Sequence, residues 1–181
     1  MKLLEIAKFI INEKLTLGKN ERVHISVGEI DSINDIPQGN RIYGKPNGLW
    51  YGFGDRWIYF VKYNMYDDTP HGFGHKKFGY KIYPNIEKII VLRTMEDLDN
   101  FIDKYLNSKP DYESERFGDG YNIDWDRVTQ DYSGIEMPTY DNLDFRDLWR
   151  KDSKRYKWLY NWDVPSGCVW KSDGISRIKS L

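Results

Sequence analysis

Between residues 21 and 27 the chain alternates strictly: Val23, Ile25 and Val27 take every second position, with Arg22, His24 and Ser26 between them. A period of two marks a strand with one face in a core. A one-residue slip would turn every side chain to the wrong face, so this stretch constrains the fold more than any other. One face is aliphatic, and the other presents His24 and Ser26 side by side. Further strand-like runs lie at 48–51, 80–83, 88–92 and 132–138, each flanked by turn formers. In 48–51, Leu49 and Tyr51 share one face and Gly48 and Trp50 the other. Residues 88–92 are nearly continuous in aliphatics, the pattern of a central strand. Residues 56–61 fit a second aromatic strand or a short helix.

Helical spacing appears in four places. Leu3, Leu4, Ala7, Ile10 and Ile11 predict an amphipathic helix over 2–14, ended near 17–20. Thr94 caps a helix with Glu96 and Asp97 in its first turn and Leu98, Phe101, Ile102 and Tyr105 on its apolar face. Asp124 caps a shorter one carrying Trp125 and Val128, and 142–160 holds one or two more. Residues 28–47 read as a long loop with a short strand near 41–43, and loops of this length are often binding loops. Residues 162–164 and 168–170 flank the Pro165-Ser166-Gly167 turn as a closing hairpin or kinked strand. Strands with helices outside them give an α+β fold. The 181 residues suit a single domain, with residues 1–20 an N-terminal helix and 141–181 a helical and hairpin extension.

Composition narrows the function. Lys and Arg number 27 against 28 Asp and Glu, so no basic excess argues for a dedicated nucleic-acid binder. The single cysteine, Cys168, excludes an intrachain disulfide and fits a reducing, cytoplasmic setting. No run of eighteen apolar residues marks a membrane span. A Lys- and Asn-rich, Ala-poor sequence fits an AT-rich genome, viral or microbial. Aromatics make up 16%, with seven Trp and fourteen Tyr, enough rings to fill a core or to wall a pocket for flat ligands. His71 and His75 have metal-ligand spacing but no Cys or carboxylate pair to complete a site, so no metal is expected. Cys168, between Gly167 and Val169, reads as a structural thiol.

The run Tyr132-Ser133-Gly134-Ile135-Glu136-Met137-Pro138 carries the chemical interest. Ile135 and Met137 would face the core, while Glu136 stands beside Gly134, where a ligand could approach closely. A carboxylate flanked by Ile and Met is a candidate catalytic group. Three strands thus place something unusual opposite their core face: His24 with Ser26, Gly48 with Trp50, and Gly134 with Glu136.

His24-Ile25-Ser26, then Gly48-Leu49-Trp50-Tyr51, then a strand-borne Glu136 resembles the motif set of ADP-ribosyltransferases of the poly-ADP-ribose polymerase and diphtheria-toxin type. The resemblance covers about residues 21–140, and its separations of 24 and 88 residues are of the family's scale. It implies an ADP-ribosyltransferase-like fold, a mixed, mostly antiparallel split β-sheet core with peripheral helices, that uses NAD as a substrate. His24 would bond the adenosine-side ribose, the Ile25 backbone would hold the nicotinamide amide, and Ser26 would support the first strand. Gly48 would open the second strand, and Trp50 and Trp57 would stand where the family places two stacking tyrosines. Glu136 would bind the nicotinamide-ribose hydroxyl and stabilise the oxocarbenium-like cation that forms as the glycosidic bond breaks. The acceptor would be a protein, a nucleic acid or a small molecule. Two rivals remain: a non-catalytic nucleotide- or protein-binding module on the same fold, and an aromatic surface that stacks single-stranded nucleic acid.

Overall fold

The computed structural model of the chain describes residues 17–38, 44–64, 78–107, 122–140, 143 and 145–181. The expected helix over 2–14, the short strand near 41–43, His71 and His75 lie outside the described residues. The protein is α+β, built on a large, mostly antiparallel sheet with few helices. The strands are β1 (Arg22–Ser26), β2 (Leu49–Phe53), β3 (Phe78–Pro84), β4 (Ile89–Val91), β5 (Leu106–Asn107), β6 (Asn122–Ile123), β7 (Gly134–Met137), β8 (Ser166–Val169) and β9 (Ile175–Ser180). Seven of them form one continuous sheet in the order β4-β7-β8-β2-β1-β3-β9, not the split sheet expected, and β5 and β6 pair separately. Within the seven, β4 and β7 run parallel and the other described pairs antiparallel.

The helices are α1 (Arg56–Asn64), α2 (Met95–Tyr105), α3 (Trp125–Asp131) and α4 (Phe145–Tyr156), the last followed by a 3-10 turn at Lys157–Asn161. The ambiguous aromatic run after Asp55 is therefore helical. Its Ile58 packs on Val23 and Ile25 of β1, a tertiary contact that local periodicity does not reveal. α4 breaks at Asp152, whose φ of -160° is non-helical. The Asp152 carboxylate accepts from the backbone N–H groups of Lys154 and Arg155 and so caps the second half.

Two strands occupy places the sequence pattern does not indicate. The aliphatic run at Ile89–Val91 lies at an edge of the sheet, not its centre. It is apolar throughout because both its faces are covered: Ile89 enters one hydrophobic cluster, and Ile90 packs against another. Conversely, Ser166–Val169, expected as a turn and hairpin arm, is a buried strand between β7 and β2. Its small residues admit neighbouring rings: a Cβ on Gly167 would lie 2.6 Å from the Tyr51 ring. The last residues return as β9 against β3, so the C-terminal segment supplies two strands of the main sheet.

Each face of the sheet carries its own core. One holds Leu49, Tyr51, Tyr80, Ile82, Ile89 and Val169, with Ile30 and Ile33 of the long loop packed against it. That loop is pinned: Ile30 N–H donates to Tyr80 Oη (2.8 Å), and Ile36 N–H to the Trp170 carbonyl (2.7 Å). The other face carries the large aromatic core, where Ile135, Met137 and Cys168 meet α2, α3 and the C-terminal rings. Trp125, Trp158, Trp162 and Trp170 are each 2% exposed or less. Burying an indole removes about 150–250 Å² from water, worth roughly 4–6 kcal/mol at ~25 cal/mol/Å². These rings therefore serve first as core. α2 is held at its start by the expected cap, a reciprocal box in which Thr94 Oγ1 accepts from Asp97 N–H (3.0 Å) and Asp97 accepts from Thr94 N–H (2.9 Å). Replacing Thr94 with Ala removes one arm of that box and is expected to lower stability by about 0.5–2 kcal/mol. Urea unfolding followed by tryptophan fluorescence measures it, and an unchanged midpoint would count against the cap.

Candidate functional site

Register decides which of the expected residues can meet. Arg22 pairs with Phe53, and Tyr51 pairs with Gly167, which pairs with Glu136. Paired residues share a face, so Arg22, His24, Ser26, Tyr51 and Glu136 stand on one side of the sheet. Trp50 pairs with Cys168 and Cys168 with Ile135, so all three stand on the other. Trp57 reaches that same side from α1, with its Cβ against Gly52, the partner of Val23. His24 and Glu136 therefore share a face, while Trp50 and Trp57 lie on the other: the sheet itself separates the acid from the indoles.

Glu136 is fully buried. Arg22 grips it in a fork, Nε on Oε1 and Nη2 on Oε2 (3.0 Å), and Tyr51 donates its hydroxyl to Oε1 at 2.8 Å. Tyr51 reaches the acid by lying across Gly167, and only a residue without a side chain leaves room for the ring. The space expected beside Gly134 is filled: a Cβ there would meet the Cys168 carbonyl and Ile89 at 2.8 Å. Burial and the Glu136 charge push the Tyr51 phenol well above its ordinary range, so it stays protonated and donates. Burial works against the Arg22 charge, but its bonds to Glu136 outweigh that, and the guanidinium is held more firmly protonated than usual. Arg22 also lies over the Phe53 ring, 5.4 Å from its centre.

The other expected residues serve the fold. His24 donates from Nδ1 to the Trp50 carbonyl at 2.5 Å, which fixes the tautomer and ties β1 to β2. Ile25 is buried against Ile58, and its backbone lies in register with Gly79 of β3. Ser26 donates to the Gly28 carbonyl in the turn that follows its strand. Gly48 is pressed against β8, where a Cβ would lie 2.6 Å from Cys168 Sγ. Cys168 is wholly buried, and burial pushes its thiol well above the ordinary range, away from nucleophilic use.

The indoles line an opening of their own. A cleft of about 210 Å³ is walled by Trp50, Trp57 and Trp162, with Lys45 and Asp163 among its lining residues. Trp50 and Trp162 meet edge to face at 4.8 Å between centres, and Trp50 Nε1 donates to the Pro46 carbonyl (3.3 Å). Lys45 Nζ lies 3.2 Å from Asp163 Oδ2. Ser166, also in the wall, turns its hydroxyl onto the Val164 carbonyl (2.8 Å). The volume falls below the ~300–1,000 Å³ of sites that enclose a whole small molecule. It suits one ring or one compact head group, such as the base of a nucleotide whose remainder stays outside the cleft.

Sequence reasoning missed Arg22, Tyr51, Lys45, Trp162 and Asp163 as site residues. Arg22 was within reach, since alternation places it on the His24 face. Tyr51 shares the Leu49 face, which the sequence pattern alone assigns to the core. Lys45 and Asp163 lie in separate loops with no shared local pattern, so only the fold brings them together. Among the described residues, no group of three or more His, Cys, Asp or Glu could hold a metal ion, and no helix is long and apolar enough to cross a membrane. No protein-family model, curated protein or solved structure matches the chain.

The Glu136 centre predicts an asymmetric double-mutant cycle. Arg22→Met strands a buried carboxylate and is expected to cost about 3–5 kcal/mol, while Arg22→Met combined with Glu136→Leu recovers most of that loss. Urea melts of the four proteins would show it, and additive losses would refute the pairing. Cys168 is expected to resist a thiol-specific dye in the native protein and to react fully in urea. Rapid labelling of the folded chain would contradict its burial.

Proposed function

We propose that the protein is a non-catalytic binding module for a nucleotide or a partner protein, and that ligand enters the cleft walled by Trp50, Trp57 and Trp162. One observation carries this reading: the sheet stands between the indoles and Glu136. ADP-ribosyl transfer needs a carboxylate and stacking walls on the same ligand, because the acid must touch the ribose whose base the walls hold. A ring seated on Trp50 or Trp57 has the sheet between it and Glu136. The acid is also spent, with both oxygens bonded and no exposed surface. The cleft has what a recognition site needs: rigid aromatic walls and one ion pair at hand.

A second reading, NAD-dependent ADP-ribosyl transfer, draws on a single observation, that His24 and Glu136 share a face. It requires Arg22 to leave Glu136 and a ligand hydroxyl to take its place, and uncovering that carboxylate without a replacement costs several kcal/mol.

One set of measurements separates the readings. Calorimetry with NAD and ADP-ribose reports binding, and nicotinamide release reports turnover. The expected result is no release above buffer from either the parent or Glu136→Gln. Nucleotide affinity should fall about tenfold in Trp57→Leu. Release that Glu136→Gln abolishes would establish transfer instead, and nucleotide binding that ignores both Trp57→Leu and Trp50→Leu would remove the cleft from consideration.

A further inference from the structure

The cleft already holds a cation of the chain's own. Lys45 Nζ sits 5.5 Å from the centre of the Trp50 ring and 3.2 Å from Asp163 Oδ2. An ammonium held against an indole, with a carboxylate beside it, is the arrangement by which proteins recognise methylated ammonium ions. Trp162 stands edge-on to Trp50, and Trp57 adds a third indole, the ring that attracts cations best.

Lys45 is a weakly held occupant. Its side chain is 29% exposed and that of Asp163 43%, so water competes for both charges. A primary ammonium is also strongly hydrated and needs partners for three N–H donors. Among the described residues the only carboxylate lining the cleft belongs to Asp163, and the Ser166 hydroxyl is turned to the backbone. A quaternary ammonium has no N–H to satisfy. It spreads its charge over methyl groups that bury well against indole faces, while Asp163 balances the charge at longer range. The volume of about 210 Å³ fits such a head group.

We propose that this cleft selects a quaternary ammonium group, that Asp163 supplies the preference for charge, and that Lys45 is the resident stand-in that the ligand displaces. The proposal rests on the reading of the cleft as the ligand site. The group could come from a free choline-like molecule or from a trimethylated lysine side chain of a partner protein, and the chemistry at the indoles is the same.

Tryptophan fluorescence titration of the full chain tests it. The probes are choline, its uncharged isostere 3,3-dimethylbutan-1-ol, a trimethyllysine peptide and the same peptide unmodified. Choline should bind at least tenfold more tightly than the isostere, and Asp163→Asn should erase that difference. Lys45→Met, which removes the stand-in and leaves the indoles, should tighten choline several-fold. A trimethyllysine peptide that binds more tightly than both choline and its unmodified counterpart assigns the source to a partner protein, and the reverse order assigns it to a free molecule. Equal binding of choline and its isostere by the parent overturns the proposal without recourse to any variant, as does weaker choline binding by Lys45→Met. If NAD binds at the cleft and choline does not, the charge preference fails while the cleft stands. If neither choline nor NAD nor either peptide moves the fluorescence, both readings fall together.

Discussion

The contact between Arg22 and Glu136 spans the sheet. It joins β1 to β7 across β2 and β8, with the Tyr51 ring laid over Gly167 as the third member. A buried ion pair adds little net stability, because desolvation offsets most of the attraction. Its effect falls on the alternatives. If β7 slipped by one residue, Glu136 would turn into the aromatic core on the far face and Arg22 would lose its partner. Gly167 adds a steric condition to the electrostatic one, since a larger residue there would hold the phenol away from the acid.

With that register in place, the sheet becomes a partition. One face is closed over Tyr51, Tyr80 and Val169, helped by Ile30 and Ile33 from the pinned loop. The other packs most of its aromatic surface into α2, α3 and the C-terminal rings. Trp50 and Trp57 remain half-buried at the margin of that packing. They and the buried Trp162 wall the cleft, where the Lys45–Asp163 pair is also found. The carboxylate that looks most chemical in the sequence is the one least available to a ligand, while Trp50 and Trp57 line an open space on the other side of the sheet. Burial explains the contrast: a charged group inside must be fully matched, whereas an indole tolerates either setting.

Much of the architecture is legible in the residues alone. The alternation around Val23 and Ile25, the cap at Thr94 and the apolar face of α2 follow from local geometry, and the structure has all three. Two local readings fail for a nonlocal reason. Ile89–Val91 looks central because both its faces are covered, although it lies at an edge. Ser166–Val169 looks like a turn because its small residues make room for a neighbour's ring, although it lies inside the sheet.

The sequence by itself determined the class of the fold, the positions of most strands, the helix starts at Thr94 and Asp124, and the facing of Ile135 and Met137 toward a core. These depend on neighbours a few residues apart, where dihedral preference and periodicity act. Only the tertiary structure decided that Arg22 and Tyr51 would claim Glu136, that Trp50 and Trp57 would lie behind the sheet from it, and that Lys45 would meet Asp163. Those outcomes turn on strand order and register, which depend on contacts between residues as much as 118 positions apart, and no local pattern encodes which strand lies beside which.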